Sequence, residues 1–348
     1  SGCGLSVRVV DGRAVKLEGN SLHPINQGVL CSKGQAGLEV LYSPERLRGP
    51  LKREGERGSG RWQSITWEDA LREVTAYLLD LRQQGKAHTL AFLYGEARGQ
   101  MRPLIERFLA AYGSPNAISL DSLDVQPVKV AHYLTQGIYD LLAYDLENAD
   151  YIIGFGANLL EAGRPLQRFI SGVSYLRRGR PTRGKVVIAD ARLSVTAAKA
   201  DEWVSLRPGT EGALALGIAN VLIQSGLYDK DFVANHAFGF DDFTDENGGS
   251  HPGFKSLALA EYTPKKVAEI TGVSATVIQR LAGEFGSHKS PLAIVPTSRS
   301  GMTGGWHAVY AAMAVHALNA LVGNLDRPGG VMVQRYFPCR PWPDLAAD

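Results

Sequence analysis

Cysteine is scarce in this chain: three among 348 residues, at positions 3, 31 and 339. So few thiols cannot build the dense disulfide framework of a small secreted scaffold. Excess charge is lacking too. Thirty-seven Lys and Arg stand against thirty-five Asp and Glu, and a net charge of +2 argues against a general nucleic-acid surface. The longest apolar runs are too short or too polar to span a bilayer. The opening lacks a charged region followed by an apolar stretch, so no signal peptide is read there. That says little about export, because the opening reads as if it were cut. There is no internal repeat and no low-complexity tract. Glycine is plentiful, at 39 residues, many of them at strand-to-helix junctions where backbone must pass close to something. The length exceeds that of one ordinary domain, so two or three are expected.

Cys3 and Cys31 are the most informative pair. Between them, Asp11-Gly12 separates two β-prone runs, Leu5 to Val10 and Ala14 to Leu17, which signals a tight hairpin. That hairpin and the following His23-Pro24-Ile25-Asn26 loop can return the chain to its start, where the two thiols would meet. Two Cys cannot complete a tetrahedral site. The pair therefore reads as half of an iron–sulfur motif, with its other ligands expected just upstream. A buried small hydrophobe, a disulfide or a partial zinc site are the alternatives. Cys339 has no partner and no motif.

The chain divides into a β-rich lobe at 1–58, a first α/β unit at 59–118 and 288–335, a second at 119–287, and the start of a further region at 336–348. A linker rich in Gly and Arg, 53–60, closes the lobe. Thr66 with Asp69 three residues on caps a helix whose apolar positions are Ala70, Leu71, Val74, Leu78 and Leu81. Strands are expected at 88–94, 117–120, 150–155, 185–189 and 203–206, alternating with helices, so the sheets are parallel. The segment 292–296 reads as a strand returning to the first sheet, followed by a long helix at 306–322. The fold class is α/β, with two doubly wound units, one inserted in the other.

The order of motifs resembles the molybdopterin oxidoreductase (dimethyl sulfoxide reductase) family. Cys3 matches the third and Cys31 the fourth ligand of that family's [4Fe–4S] cluster, and Leu30-Cys31-Ser32-Lys33-Gly34 matches its C-x-K-G signature. Tyr42-Ser43-Pro44-Glu45-Arg46-Leu47, then Pro50-Leu51-Lys52-Arg53, then Trp67-Glu68-Asp69-Ala70-Leu71 follow in the family's order. Each is weak alone; together they cover essentially the whole chain. The resemblance implies that Lys33 lies on the electron path between cluster and pterin, facing the interior; otherwise it is a surface Lys.

Further elements follow from the resemblance. Gly154-Phe155-Gly156-Ala157-Asn158 ends a strand, where glycines let backbone amides approach a pyrophosphate. Leu159-Leu160 stands where a nicotinamide-dinucleotide fingerprint needs its third Gly, which disfavours an NAD(P) dehydrogenase. The same segment fits the family's G-x-x-N element against a pterin–guanine dinucleotide; a tight turn is the plain alternative. Asp190-Ala191-Arg192, with Thr196 and Asp201 beyond, resembles the family's D-P-R…T element, with Ala191 in place of Pro. Arg207-Pro208-Gly209-Thr210-Glu211 resembles K/R-P-G-T-D, with Glu211 where Asp is commoner and a carboxylate would read the guanine amino edge. Glu211 is otherwise a helix N-terminal acid. Arg299 to His307 includes Gly301 and Gly304, a turn expected to close on a pterin phosphate or line a substrate funnel. His307 and His316 are nine apart, form no metal pair, and read as structural.

For the molybdenum ligand, no Cys occurs in the matching stretch 117–124, and Asp124 occupies the position by spacing. Asp121 and Ser122 are fallbacks, and Asp124 otherwise serves as a helix N-cap. The resemblance implies a bis(molybdopterin guanine dinucleotide) oxidoreductase using molybdenum or tungsten. It would transfer oxygen or sulfur atoms, or electron pairs, while the cluster relays single electrons. Its partners would be a small redox substrate, an iron–sulfur electron-transfer subunit and a membrane anchor subunit, at the periplasmic rather than the cytoplasmic side of a membrane. The rival reading is a molybdenum-free, cluster-carrying electron-transfer subunit.

Overall fold

A computed structural model describes the chain apart from Ser1, Glu96, Arg98, Leu120, Asp121, Arg164, 296–305, 334–339, Pro341 and 345–348. For Ser122, Leu123, Asp124 and Trp306 it describes the backbone alone. Residues 5–18, 30–123 and 338–348 form one compact unit; residues 1–4, 19–29 and 124–337 form another.

In the smaller unit, β1 (Leu5–Val10) and β2 (Arg13–Gly19) make the expected hairpin. Asp11 and Gly12 both have positive φ, 48° and 75°, as a two-residue turn matching strand twist requires. Short helices α1 (Ser32–Gln35) and α2 (Gly37–Leu41) follow, then an antiparallel pair, β3 (Leu51–Arg53) and β4 (Trp62–Ser64). Helix α3 (Trp67–Gln83) starts as the sequence predicts: Thr66 Oγ1 accepts from the Asp69 amide at 3.1 Å and donates to the Asp69 carboxylate at 2.7 Å. Strands β5 (Ala91–Tyr94) and β6 (Asn116–Ser119) pair in parallel through the crossover helix α4 (Met101–Tyr112). Only Ile105 and Leu109 of α4 are fully buried, and Leu71 on the apolar stripe of α3 stays 62% exposed.

Helix α5 (Ser122–Gln136) leads into the larger unit, where β7 (Ala143–Tyr144), β8 (Tyr151–Phe155), α6 (Leu166–Arg178), β9 (Lys185–Asp190), α7 (Val195–Lys199) and β10 (Glu202–Ser205) follow. Next come α8 (Glu211–Gln224), α9 (Lys230–His236), the hairpin β11 (Phe243–Thr244) and β12 (Ser250–His251), α10 (Phe254–Glu261), α11 (Pro264–Thr271) and α12 (Ala275–Ser287). Strand β13 (Pro291–Ile294), α13 (Trp306–Leu321) and β14 (Val331–Met332) complete it. Four strands form one parallel sheet in the order β10-β9-β8-β13. Alternate residues face opposite layers. Ile153, Phe155 and Val187 pack with α8, α12 and α13, while Ile152, Val186 and Ile188 pack with Phe169, Val173 and Leu176 of α6. Helices on both faces explain why β8 and β13 read as unbroken apolar runs rather than alternating ones.

One expectation is corrected. The strand at 291–294 does not return to the first sheet; it pairs with β8, so the segment 288–335 does not join residues 59–118. The physical reason lies in two asparagines. Asn319 accepts from the Ala293 amide and donates to the Ala293 carbonyl, both at 2.8 Å, and Asn324 donates to the Pro291 carbonyl at 2.7 Å. These side chains satisfy the outer edge of β13, leaving no free ladder for another strand.

Candidate cofactor-binding sites

The cluster lobe is organised by Asn26, which is 1% exposed. Its carboxamide accepts from the Gly4 amide at 2.8 Å and donates to the Gly4 and Val29 carbonyls at 3.0 and 2.8 Å. Gly4 follows Cys3 directly, so this one side chain holds the Cys3 segment to the loop 19–29 of the same unit. Gly4 has no room for a larger residue: a Cβ there would lie 2.6 Å from the His23 side chain. Cys3 and Cys31 are half-buried free thiols. Soft sulfur donors, accessible and not consumed in a disulfide, fit an iron–sulfur cluster. Lys33 departs from expectation. It is exposed on the single-turn helix α1 and does not face an interior.

The second site lies where the strand order of the larger sheet reverses. From β8 the chain builds outward to β9 and β10, then returns to add β13 on the other side of β8. Open α/β sheets bind ligands beyond the carboxyl ends of strands at such a point. The loop leaving β8 carries Gly156, with φ 59°, and Asn158, which is buried. Its shape is held by Thr196, whose Oγ1 accepts from the Leu160 amide at 3.0 Å. Gly154 has a packing role: a Cβ there would lie 2.8 Å from Ile188 Cδ1 across the sheet.

Asp190 ends β9 and Glu211 opens α8, and both are buried, at 6% and 3% exposure. Burial holds the Glu211 carboxyl above its ordinary range; amides of Glu211 and Gly209 oppose that rise, and the charge of Asp190 adds to it. The two carboxyl groups are near enough for the charge of Asp190 to be felt at Glu211. Buried carboxylates accept well from N–H donors, such as the amino edge of guanine, and disfavour phosphate. Gly209, with φ 78°, shapes the turn before α8, and Thr210 closes it by donating to the Arg207 carbonyl at 2.6 Å.

Two predicted residues are engaged elsewhere. The Arg207 guanidinium donates to the Glu269 and Ile270 carbonyls near the end of α11, where a cation complements the helix dipole. Arg192 is exposed and pairs with Glu161 at 3.1 Å, although its amide does bond Asp190 at 3.0 Å. Sequence reading missed Glu161, whose other oxygen accepts from the Val195 amide at 3.0 Å and so holds the start of α7 against the β8 loop. It also missed Asn26. An acid opposite a helix N-terminus and a buried Asn in a loop announce nothing until the loops close.

Gly301, Gly304, Asp121 and Cys339 lie outside the described residues, as does the side chain of Asp124. The backbone does correct one alternative. Helix α5 begins at Ser122, so Asp124 occupies its first turn rather than the N-cap position. An acid there gains from the helix dipole without capping it.

Comparison with known proteins bears on both sites. Residues 46–338 match the molybdopterin oxidoreductase family, and residues 1–43 match the molybdopterin oxidoreductase Fe4S4 domain. The menaquinone reductase, molybdopterin-binding-like subunit of Nitratidesulfovibrio vulgaris is 36% identical over 334 residues, covering 95% of this chain and 44% of that protein. The arsenate respiratory reductase molybdopterin-containing subunit of Shewanella sp. is 31% identical over 346 residues, covering 95% of this chain and 40% of that protein. Among solved structures, acetylene hydratase from Pelobacter acetylenicus superposes with a TM-score of 0.75 at 26% identity, over 95% of this chain and 43% of that one. The chain thus spans less than half the length of these relatives. With the Fe4S4 domain at its start and the α/β body behind it, the chain belongs to the molybdopterin oxidoreductase family.

Proposed function

We propose that the chain holds a [4Fe–4S] cluster and a bis(molybdopterin guanine dinucleotide) cofactor carrying molybdenum or tungsten, and serves an oxidoreductase acting on a small substrate. The observation that carries this reading is the pair of buried carboxylates, Asp190 at the carboxyl end of β9 and Glu211 at the start of α8. Asp190 and Glu211 would accept from the guanine N–H groups, and Gly156 would let backbone approach the pyrophosphate. Cys3 and Cys31 would supply two of the cluster's thiolates, with Asn26 fixing the segment on which Cys3 stands. Lys33 would be covered once the cofactors are bound and would set the local charge between them. The bound metal would supply oxygen- or sulfur-atom transfer or two-electron redox chemistry, and the cluster single-electron relay; the chain supplies position and charge.

Asp124 would give the metal a hard oxygen donor, suited to a high oxidation state. Exchange of electrons with an iron–sulfur subunit and a membrane anchor subunit at the periplasmic face belongs to the same proposal. It is supported by relatives named as subunits of menaquinone and arsenate respiratory reductases. A second reading is favoured by the words "molybdopterin-binding-like" in the name of one of them: a chain of this fold that carries the cluster and relays electrons without molybdenum. Asp124→Ala in the full-length protein separates the two. As a ligand, its loss should lower turnover at least ~100-fold and alter the molybdenum paramagnetic signal. As a first-turn acid alone, it should cost about 0.5 kcal/mol of stability and leave turnover intact.

A further inference from the structure

A cavity of about 840 Å³ opens among α5, α8, α9, α10 and α13 of the larger unit. Its walls are apolar and aromatic, with Leu134, Phe232, Phe240, Phe254, Met313 and Leu321 the principal contributors. No described Lys, Arg, Asp or Glu lines it, so it offers an anion no counter-charge. Its polar side chains include His236, Tyr262, His307 and Tyr310, and a pair that meets where α5 ends. There His316, 5% exposed on α13, meets Gln136, with His316 Nε2 lying 3.1 Å from Gln136 Oε1. Burial holds His316 far below its ordinary value, at about 3, so the imidazole is neutral and its Nε2–H donates to the Gln136 oxygen. That bond orients the carboxamide. Its Nε2 is left buried with no hydrogen-bond partner, on a residue that lines the cavity. Behind it the His132 ring packs edge-on to His316 at 5.5 Å, with its Nδ1 on the Asp140 carbonyl and its Nε2 unpartnered.

A buried donor without an acceptor costs on the order of 1–3 kcal/mol, so a bound group that supplies an acceptor is favoured here. In a wall without charged side chains, an uncharged acceptor oxygen on an apolar body would satisfy it. The volume lies within the range of small-molecule sites, and the wall offers several aromatic rings to a flat one. We infer that this cavity binds a quinone, with one ring carbonyl accepting from Gln136 Nε2–H and the hydrocarbon portion lying along Phe232, Phe240 and Phe254. The inference concerns binding and is independent of which metal the protein carries.

The test titrates full-length protein with menadione, 2-methylnaphthalene and palmitate, following tryptophan fluorescence and calorimetric heat. Menadione should bind saturably at one site per chain, at least ~10-fold tighter than the naphthalene without carbonyls and than the fatty acid. Gln136→Leu should weaken menadione ~5-fold or more and leave the naphthalene unchanged. Ala317→Phe, which fills the cavity from α13, should abolish saturation. Leu257→Trp does the same from the rim, where the side chain is 42% exposed and folding is not at stake. Absence of saturable menadione binding overturns the inference, as does equal binding of all three probes or an unchanged affinity in both plugged variants. A molybdenum and iron content that is the same in every variant keeps this test separate from the cofactor assignment.

Discussion

Asn26 and Gly4 hold one another by two opposed hydrogen bonds, amide to carboxamide oxygen at 2.8 Å and carboxamide nitrogen to carbonyl at 3.0 Å. A third bond from the same carboxamide reaches Val29 at 2.8 Å. One buried side chain thus adds to the backbone bonds of this loop, among them Asn20 amide to Gly4 carbonyl at 3.0 Å.

Replacing Asn26 by Leu keeps volume and burial but strips this partner from the Gly4 amide and the Val29 carbonyl, while the Gly4 carbonyl keeps the Asn20 amide at 3.0 Å. The expected loss is about 3 kcal/mol of local stability, and with it the hold on the segment that carries Cys3. Iron bound per chain and the visible sulfur-to-iron absorbance should fall to less than about half in Asn26→Leu. Full iron loading would show that the clamp is incidental to the cluster.

Asn319 does for β13 what Asn26 does for the lobe. Asn319→Leu strips the Ala293 amide and carbonyl of the side chain that partners both at the sheet edge. A destabilisation of about 3 kcal/mol is expected, read as a lower denaturant midpoint at unchanged slope. A variant as stable as the parent would mean that another group closes this edge.

These two asparagines also mark the limit of what the residues disclose in advance. The Asp11-Gly12 turn, the Thr66–Asp69 cap and the strands ending at Phe155 and Asp190 were all legible, because each depends on neighbours within a few positions. The partner of β13 was not, since an apolar run at 291–294 suits either sheet and the deciding groups lie some 26 residues further on. The acids of the proposed dinucleotide site were visible as motifs; that Arg207 turns away to cap α11 was not, because it depends on where that helix ends.

The proposed dinucleotide site has a pH signature. In the fold, burial raises Glu211 above its ordinary value of 4.5, so the folded chain keeps this proton to higher pH than the unfolded chain. Its contribution is therefore full below the ordinary carboxylate range and is lost as pH rises through the raised value. In protein stripped of nucleotide, Glu211→Gln should match the parent near pH 4 and gain melting temperature over it by about pH 8. The same variant should retain under about a tenth of the parent's bound guanine nucleotide, since a charged acceptor is lost from a buried site. A constant difference in melting temperature across pH would contradict the buried-carboxylate account.

The most direct measurement is elemental and nucleotide analysis of the full-length protein purified without oxygen. The account predicts four iron atoms, one molybdenum or tungsten, and two guanine nucleotides released on acid hydrolysis for each chain. Iron with neither metal and no guanine nucleotide would contradict it, leaving Asp190 and Glu211 as a buried pair without a ligand and the chain as an electron-relay subunit.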